Sequence, residues 1–156
     1  MPIIMEEHRQ IVDQATKDIF SATCGVTLTE VTEEGNQDTD GVIIALISLV
    51  GDVGWSVFIS LPRTTAEAVA GHFAGFEIPF DSEDMGDAIG EVTNIFAGQI
   101  KALLDSKGVQ ADISLPSVMR ADGLEVLMLH DSTSSRTCFN CDLGRLWTGV
   151  VVSESE

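Results

Sequence analysis

Apolar residues recur at Met85, Ile89, Val92, Phe96, Ile100 and Leu103. This is the i, i+3, i+4 spacing of an amphipathic helix, and it runs long enough to predict one helix over residues 82–105. Asp81 or Ser82 can cap its start, and Gly108 can close its end. Winding the segment at roughly 100° per residue gathers those side chains on one face. Asp87, Glu91, Asn94 and Gly98 fall on a second, narrow stripe far around the helix, where they meet solvent or a partner.

That stripe is a poor way to build helix surface. Exposed helix positions are ordinarily filled by Glu, Lys, Gln, Arg and Ala. Here the interior holds Gly86, Gly90, Asn94 and Gly98, which together cost roughly 3 kcal/mol relative to alanine. Set against a domain's ~5–15 kcal/mol of stability, that cost calls for an offset. One offset is close packing, since glycine admits a neighbouring backbone. The other is a docked protein lying against a smooth helix face. Composition alone leaves both open.

The chain has 156 residues, which favours a single domain, 1–156, with a sizeable core. Eight basic against twenty-five acidic residues give a formal charge of −17. Nucleic acid and anionic membrane both need basic surface, so neither is expected as a partner. The N-terminus lacks a basic region followed by a long apolar core and does not read as a secretory signal. No apolar run approaches the ~18 residues of a membrane span. Three cysteines, an odd number, argue against a disulfide framework. A cytoplasmic location is the expectation.

Residues 6–22 predict a first helix, with Ile11, Ala15, Ile19 and Phe20 supplying its apolar face and Gly25 its stop. Strands are predicted at 26–32, 42–50, 55–61, 109–115, 124–129, 136–142 and 147–152. A polar loop is expected at 33–41, a turn at 51–54 and a short helix at 64–73. The apolar run 42–50 reads as a buried, central strand, and Pro62 ends its successor. The order contains a duplication: each half is a long helix, a Gly-Val pair, then several strands. Aligning Gly25-Val26 with Gly108-Val109 places Asp87, Glu91, Asn94 and Gly98 opposite Ile4, His8, Ile11 and Ala15. The first helix then lacks the polar stripe, so the architecture does not require it.

Other chemistry is thinly represented. Cys138 and Cys141 have CxxC spacing, which suits a thiol-redox pair or half of a metal site. Residues three apart on a strand point to opposite faces, so the two are expected to be inert, and no metal site is expected. His8, His72 and His130 stand in no recognisable constellation. No Gly-x-x-x-x-Gly-Lys-Ser/Thr phosphate loop and no Gly-x-Ser-x-Gly elbow occurs. Trp55 and Trp147 read as core or interface anchors.

The pattern Asp87-x-x-x-Glu91-x-x-Asn94-x-x-x-Gly98 resembles the signature of the CheC/CheX/FliY family of response-regulator phosphatases, and its local wording, Asp87-Ala-Ile-Gly-Glu-Val-Thr-Asn-Ile-Phe-Ala-Gly98, is most similar to the CheX type. Gln14-Ala-Thr-Lys-Asp-Ile-Phe20, Gly54-Trp-Ser-Val-Phe-Ile-Ser-Leu-Pro62 and Ile113-Ser-Leu-Pro-Ser-Val118 resemble the flanking elements in order. The resemblance covers residues 11–152 and is loosest over 132–147. It implies an α+β, CheC-like fold of two related helix-plus-strands halves, with long helices packed on a mostly antiparallel sheet, and a homodimer. It implies as partner and substrate the aspartyl phosphate of a CheY-like receiver domain, whose own Mg²⁺ and lysine neutralise charge, so that the chain needs no cofactor of its own. By the same resemblance Asn94 orients the attacking water and Glu91 pairs with the receiver's lysine. Asp87, Gly90 and Gly98 belong to the partner-facing surface, the glycines as clearance and Asp87 as an electrostatic support for the helix. The competing readings are a non-catalytic binding module of the same fold and a metal or thiol-redox protein built on Cys138 and Cys141.

Overall fold

The computed structural model describes residues 5–32, 41–122 and 133–153. Helix α1 (Met5–Cys24) leads to the short strand β1 (Thr29–Val31), then to the hairpin β2 (Val42–Gly51) and β3 (Gly54–Pro62). Helices α2 (Arg63–Ala74) and α3 (Glu83–Asp105) follow. The chain then forms β4 (Ala111–Ile113), β5 (Ser117–Ala121), and a second hairpin, β6 (Thr133–Cys141) and β7 (Gly144–Val152). The strands make one sheet in the order β1-β6-β7-β3-β2-β4, and β5 also pairs with β2. Every pairing is antiparallel. β4 and β5 share one edge of β2 end to end, on Leu49–Gly51 and Val42–Leu46.

This order is symmetric about the central β7–β3 pair. Each half supplies a long helix, a short strand and a hairpin. The short strand of each half pairs with the first hairpin strand of the other: β1 with β6, and β4 with β2. The duplication read from the sequence is therefore built into the sheet, with the two halves interleaved.

The core follows from periodicity. Ile43, Ala45, Ile47 and Leu49 of β2 and Trp55, Val57, Ile59 and Leu61 of β3 are buried toward the helices, the period-two face of each strand. Helix α1 answers with Ile11, Val12, Ala15, Ile19 and Phe20, and α3 with Met85, Ile89, Val92, Phe96 and Ile100. Burial of each large apolar side chain contributes about 1.5–3 kcal/mol. At the end of α3, Leu104 is fully buried and Leu103 only partly. The last turn packs against β4, where Lys101 donates to the carbonyl of Ala111 at 2.5 Å.

Burial also corrects the register in which the two long helices correspond. Their patterns superpose when His8 is set on Met85, Val12 on Ile89, Ala15 on Val92 and Ile19 on Phe96. In that register Thr16 and Thr93 coincide; both are buried, and both hydroxyls donate to the carbonyl four residues back. Matching the terminal Gly-Val pairs shifts this alignment by six residues, because α3 runs further past the shared core than α1 does. Gly25 and Gly108 nonetheless do the same local work. Each has positive φ (66° and 77°), and the amide of the following valine bonds back into the helix, Val26 to Phe20 and Val109 to Leu104.

Several predicted boundaries move. The strands at 26–32 and 109–115 shorten to β1 and β4, because the amides of Val26 and Val109 are spent on closing helices. β5 was not expected; Ser-Val-Met-Arg-Ala carries little strand signal, and its pairing with β2 holds it. Ser82 occupies the cap position of α3 without capping it: its hydroxyl donates to the Pro79 carbonyl at 2.7 Å. Arg120 of β5 instead holds the entry, donating to the carbonyls of Phe80 and Ser82 at 3.0 Å each. The first turn also carries Glu83 and Asp84, which complement the helix dipole. The strand predicted at 124–129 and all but Gly41 of the loop predicted at 33–41 lie outside the described residues.

Near the centre of the sheet, Gly149 stands opposite Phe58 and Arg136. A Cβ at Gly149 would lie 2.5 Å from the Ser135 carbonyl oxygen and 2.4 Å from the edge of the Phe58 ring. Gly149→Ala is therefore expected to lower stability by about 1–3 kcal/mol through overpacking. Urea or thermal melts check this, and an unchanged midpoint would contradict it.

Candidate functional site

Helix α3 is gripped along most of its circumference. Gln99 donates to Asp18 of α1 at 2.9 Å, and Lys101 ties the far end to β4. Ala88, Ile89, Val92, Thr93, Phe96 and Ala97 are buried. What stays open is the stripe singled out in the sequence. Asp87, Glu91 and Asn94 are exposed and Gly98 is half-buried. Glu91 and Asn94, one turn apart, share this face, where residues three apart sit about 5–6 Å from each other. Among the described residues, none of the side chains of Asp87, Glu91 and Asn94 makes a hydrogen bond or ion pair. The site thus offers a carboxylate and an amide, uncommitted, on a helix whose other faces are packed or bonded.

The glycines separate into two kinds. Gly90 is buried, and a Cβ there would touch Val118 and Pro116 at 3.8 and 4.0 Å. Gly90 thus lies under β5 and the residue before it, at distances of ordinary contact that an alanine methyl would also make. At Gly86 and Gly98 a Cβ would meet nothing within 4 Å among the described residues, so close packing does not account for them. The burial register makes the same point. In α1 the positions corresponding to Gly86, Gly90 and Gly98 hold Arg9, Asp13 and Ser21, and those corresponding to Asp87, Glu91 and Asn94 hold Gln10, Gln14 and Lys17. An equivalent helix in the same sheet manages without the glycines and without the Glu/Asn pair.

Beside the stripe lies a feature the sequence reading missed. Phe76, just past the C-cap Gly75, is 62% exposed. With Phe73, Ile78 and Ala88 it forms an open groove against α3, bordered by Asp84, Asp87 and Glu91. The signal was an apolar residue directly after a helix-stopping glycine. Asp87 therefore sits in the second turn of α3, on the rim of a groove.

The remaining candidates do not assemble into sites. Cys138 is buried on the sheet face away from the helices, whereas Cys141 is packed against the core, as their odd spacing on a strand requires. Burial pushes the Cys24 thiol up from its ordinary pKa, which keeps it protonated. Among the described residues no group of three or more His, Cys, Asp or Glu could hold a metal ion. His8 is buried edge-on to Trp55, with ring centres 5.0 Å apart, and His72 lies in the last turn of α2. His130 lies outside the described residues. No helix is long and apolar enough to cross a membrane among the described residues.

The family described as chemotaxis phosphatase CheX matches residues 43–141, more than half of the chain. The chain belongs to the CheX family. The matched span contains the whole of α3 and its stripe. Solved structures agree on the fold. Chemotaxis protein CheX from Vibrio vulnificus is 18% identical with a TM-score of 0.82, covering 97% of this chain and 100% of that one. A CheC-like superfamily protein from Shewanella is 18% identical with a TM-score of 0.80, covering 99% and 100%. CheX in the CheX–CheY–BeF3–Mg²⁺ complex of Borrelia burgdorferi is 19% identical with a TM-score of 0.74, covering 94% and 98%. No curated protein matches the sequence. The α+β, CheC-like fold stands, and family membership carries a phosphatase, hence hydrolase, assignment at the level of the family.

If Gly98 is kept for clearance above the helix rather than for packing below it, Gly98→Ala should raise stability by about 0.5–1 kcal/mol, the helix-propensity gain. A thermal melt reads this, and a lowered midpoint would restore the packing explanation.

Proposed function

We propose that this chain hydrolyses the aspartyl phosphate of a CheY-like receiver domain by laying α3 across the receiver's active site. The observation that carries this reading is the exposed, uncommitted Glu91/Asn94 pair on a helix otherwise buried and braced. The BeF3–Mg²⁺ complex of the Borrelia CheX with CheY supports a receiver as the kind of partner.

In the reaction a water oxygen forms a bond to phosphorus while the bond from phosphorus to the receiver's aspartyl oxygen breaks. The products are inorganic phosphate and a free carboxylate, and the water's proton passes to phosphate or solvent. Phosphoryl transfer depends mainly on positioning and on charge neutralisation. The receiver supplies the second, and positioning is what remains for this chain. The Asn94 amide suits that task, since its oxygen accepts from the water while its NH₂ donates nearby. Fixing the water relative to phosphorus converts an encounter into an oriented attack.

Glu91, one turn earlier on the same face, pairs with the receiver's active-site lysine and sets the register of the helix. Gly98 leaves room for the receiver's surface beyond Asn94. No metal ligand, nucleophile or phosphate loop is required of this chain, because the partner brings them. The homodimer and the cytoplasmic location implied by the sequence resemblance belong to the same reading.

Asn94→Ala is expected to lower phosphate release from a phosphorylated receiver at least ~10-fold, with the melting temperature and receiver affinity retained. Unchanged turnover would defeat the assignment of Asn94. It would also favour a docking module of the same fold, in which hydrolysis plays no part. Glu91→Lys is expected to weaken binding by setting like charges against each other. A titration with the BeF3-loaded receiver checks this contact, and equal affinities for variant and parent would count against it.

A further inference from the structure

Apart from Glu91 on its rim, the groove beside the stripe takes no part in the chemistry described above. A single exposed phenylalanine on a protein surface is ordinary by itself. Phe76, however, does not stand alone. Ile95, 40% exposed, lies one turn beyond Glu91 on the same side of α3. The groove that holds Phe76 reaches α3 at Asp84, Asp87, Ala88 and Glu91, so it adjoins the surface proposed to meet the receiver.

The connection that carries Phe76 is tied down on both sides. Gly75 ends α2 in the left-handed conformation, φ 82°, which turns the chain outward at Phe76. Two residues on, Ile78 returns to the core at 3% exposure, and Phe80 follows at 2%. The Phe80 amide donates to Glu67 at 3.1 Å, its carbonyl accepts from Arg120, and Arg63 stacks over its ring at 4.3 Å. A side chain exposed on a fixed base loses little freedom on binding, which favours its use as an anchor.

The groove's charge indicates what fits. Its lining is apolar, and its charged residues are Asp84, Asp87 and Glu91, with no basic side chain among them. At about 280 Å³ and open to solvent, it is too shallow to enclose a small molecule on most sides, as small-molecule sites do. It suits a side chain presented by a protein.

We propose that this groove takes an apolar side chain flanked by a lysine or arginine from the surface of the same receiver domain, and that Phe76 thereby selects which receivers are accepted. The proposal rests on the phosphatase reading, and its test separates the two. Wild type, Phe76→Ala, Phe76→Leu and Asn94→Ala are assayed for phosphate release against each of the host's receiver domains, phosphorylated with a small-molecule phosphodonor. Phe76→Ala is expected to raise KM for the preferred receiver about tenfold, the loss typical of a truncated aromatic anchor, while kcat is kept. Its preference over the other receivers should narrow, and Phe76→Leu should recover most of the loss. Asn94→Ala, by contrast, should lose kcat and keep KM. Equal KM for wild type and Phe76→Ala, with Asn94→Ala inactive, overturns the groove's role and leaves the phosphatase reading standing. A change in oligomeric state on Phe76→Ala with KM unchanged assigns the groove to a second copy of this chain and likewise overturns the proposal. Absence of release by the wild type from every receiver overturns both readings.

Discussion

Burial of α3 is the constraint from which the rest of the structure follows. Met85, Ile89, Val92, Phe96 and Ile100 are driven out of water onto the sheet and α1, and this fixes which way the opposite side of the helix faces. With several large apolar side chains buried at about 1.5–3 kcal/mol each, the helix can carry glycines and an asparagine on its outer surface and still form. Asn94 and Glu91 therefore point outward because the opposite face is anchored, not because anything holds them directly. Bonds from Gln99 to α1, Lys101 to β4 and Arg120 to the helix entry add direction to what the apolar face begins.

The interleaved halves explain how so small a chain makes so firm a platform. Each short strand crosses to the other half's hairpin, so neither half closes its sheet alone. Pseudo-symmetry also supplies an internal control. Helix α1 occupies the equivalent position, shares the burial pattern down to its buried threonine, and places Gln14 and Lys17 where α3 places Glu91 and Asn94. Two helices under the same packing demands differ in their outward residues. Packing thus sets the inner face of α3, while membership of the CheX family gives the outer face a context of phosphatase chemistry.

Much of this was legible beforehand. The helix over 82–105, the hairpin of β2 and β3, the central place of β2 and the outward stripe all follow from periodicity, since apolar spacing reports directly on which face meets water. The duplication was visible in the order of elements, but its register was not. Gly-Val pairs mark where helices end, and two helices of unequal length end at different distances from a shared core. The short strands were overextended because valine-rich stretches look alike whether their amides pair with a neighbouring strand or close a helix. That Pro116 and Val118 lie over Gly90 was hidden for a related reason: a glycine's spacing does not reveal which neighbour approaches it. Phe76 was missed because one apolar residue in a connection has no period.

By itself, the sequence determined the helices, the alternation of the main strands and the pairing of Glu91 with Asn94 on one outward face, because each depends only on residues close together along the chain. Only the tertiary structure decided that Gly90 is packed while Gly86 and Gly98 are open, that β5 and Arg120 brace the entry to α3, and that Phe76 stands beside the stripe. Those facts depend on contacts between segments distant in sequence, and such contacts exist only once the sheet has brought both halves together.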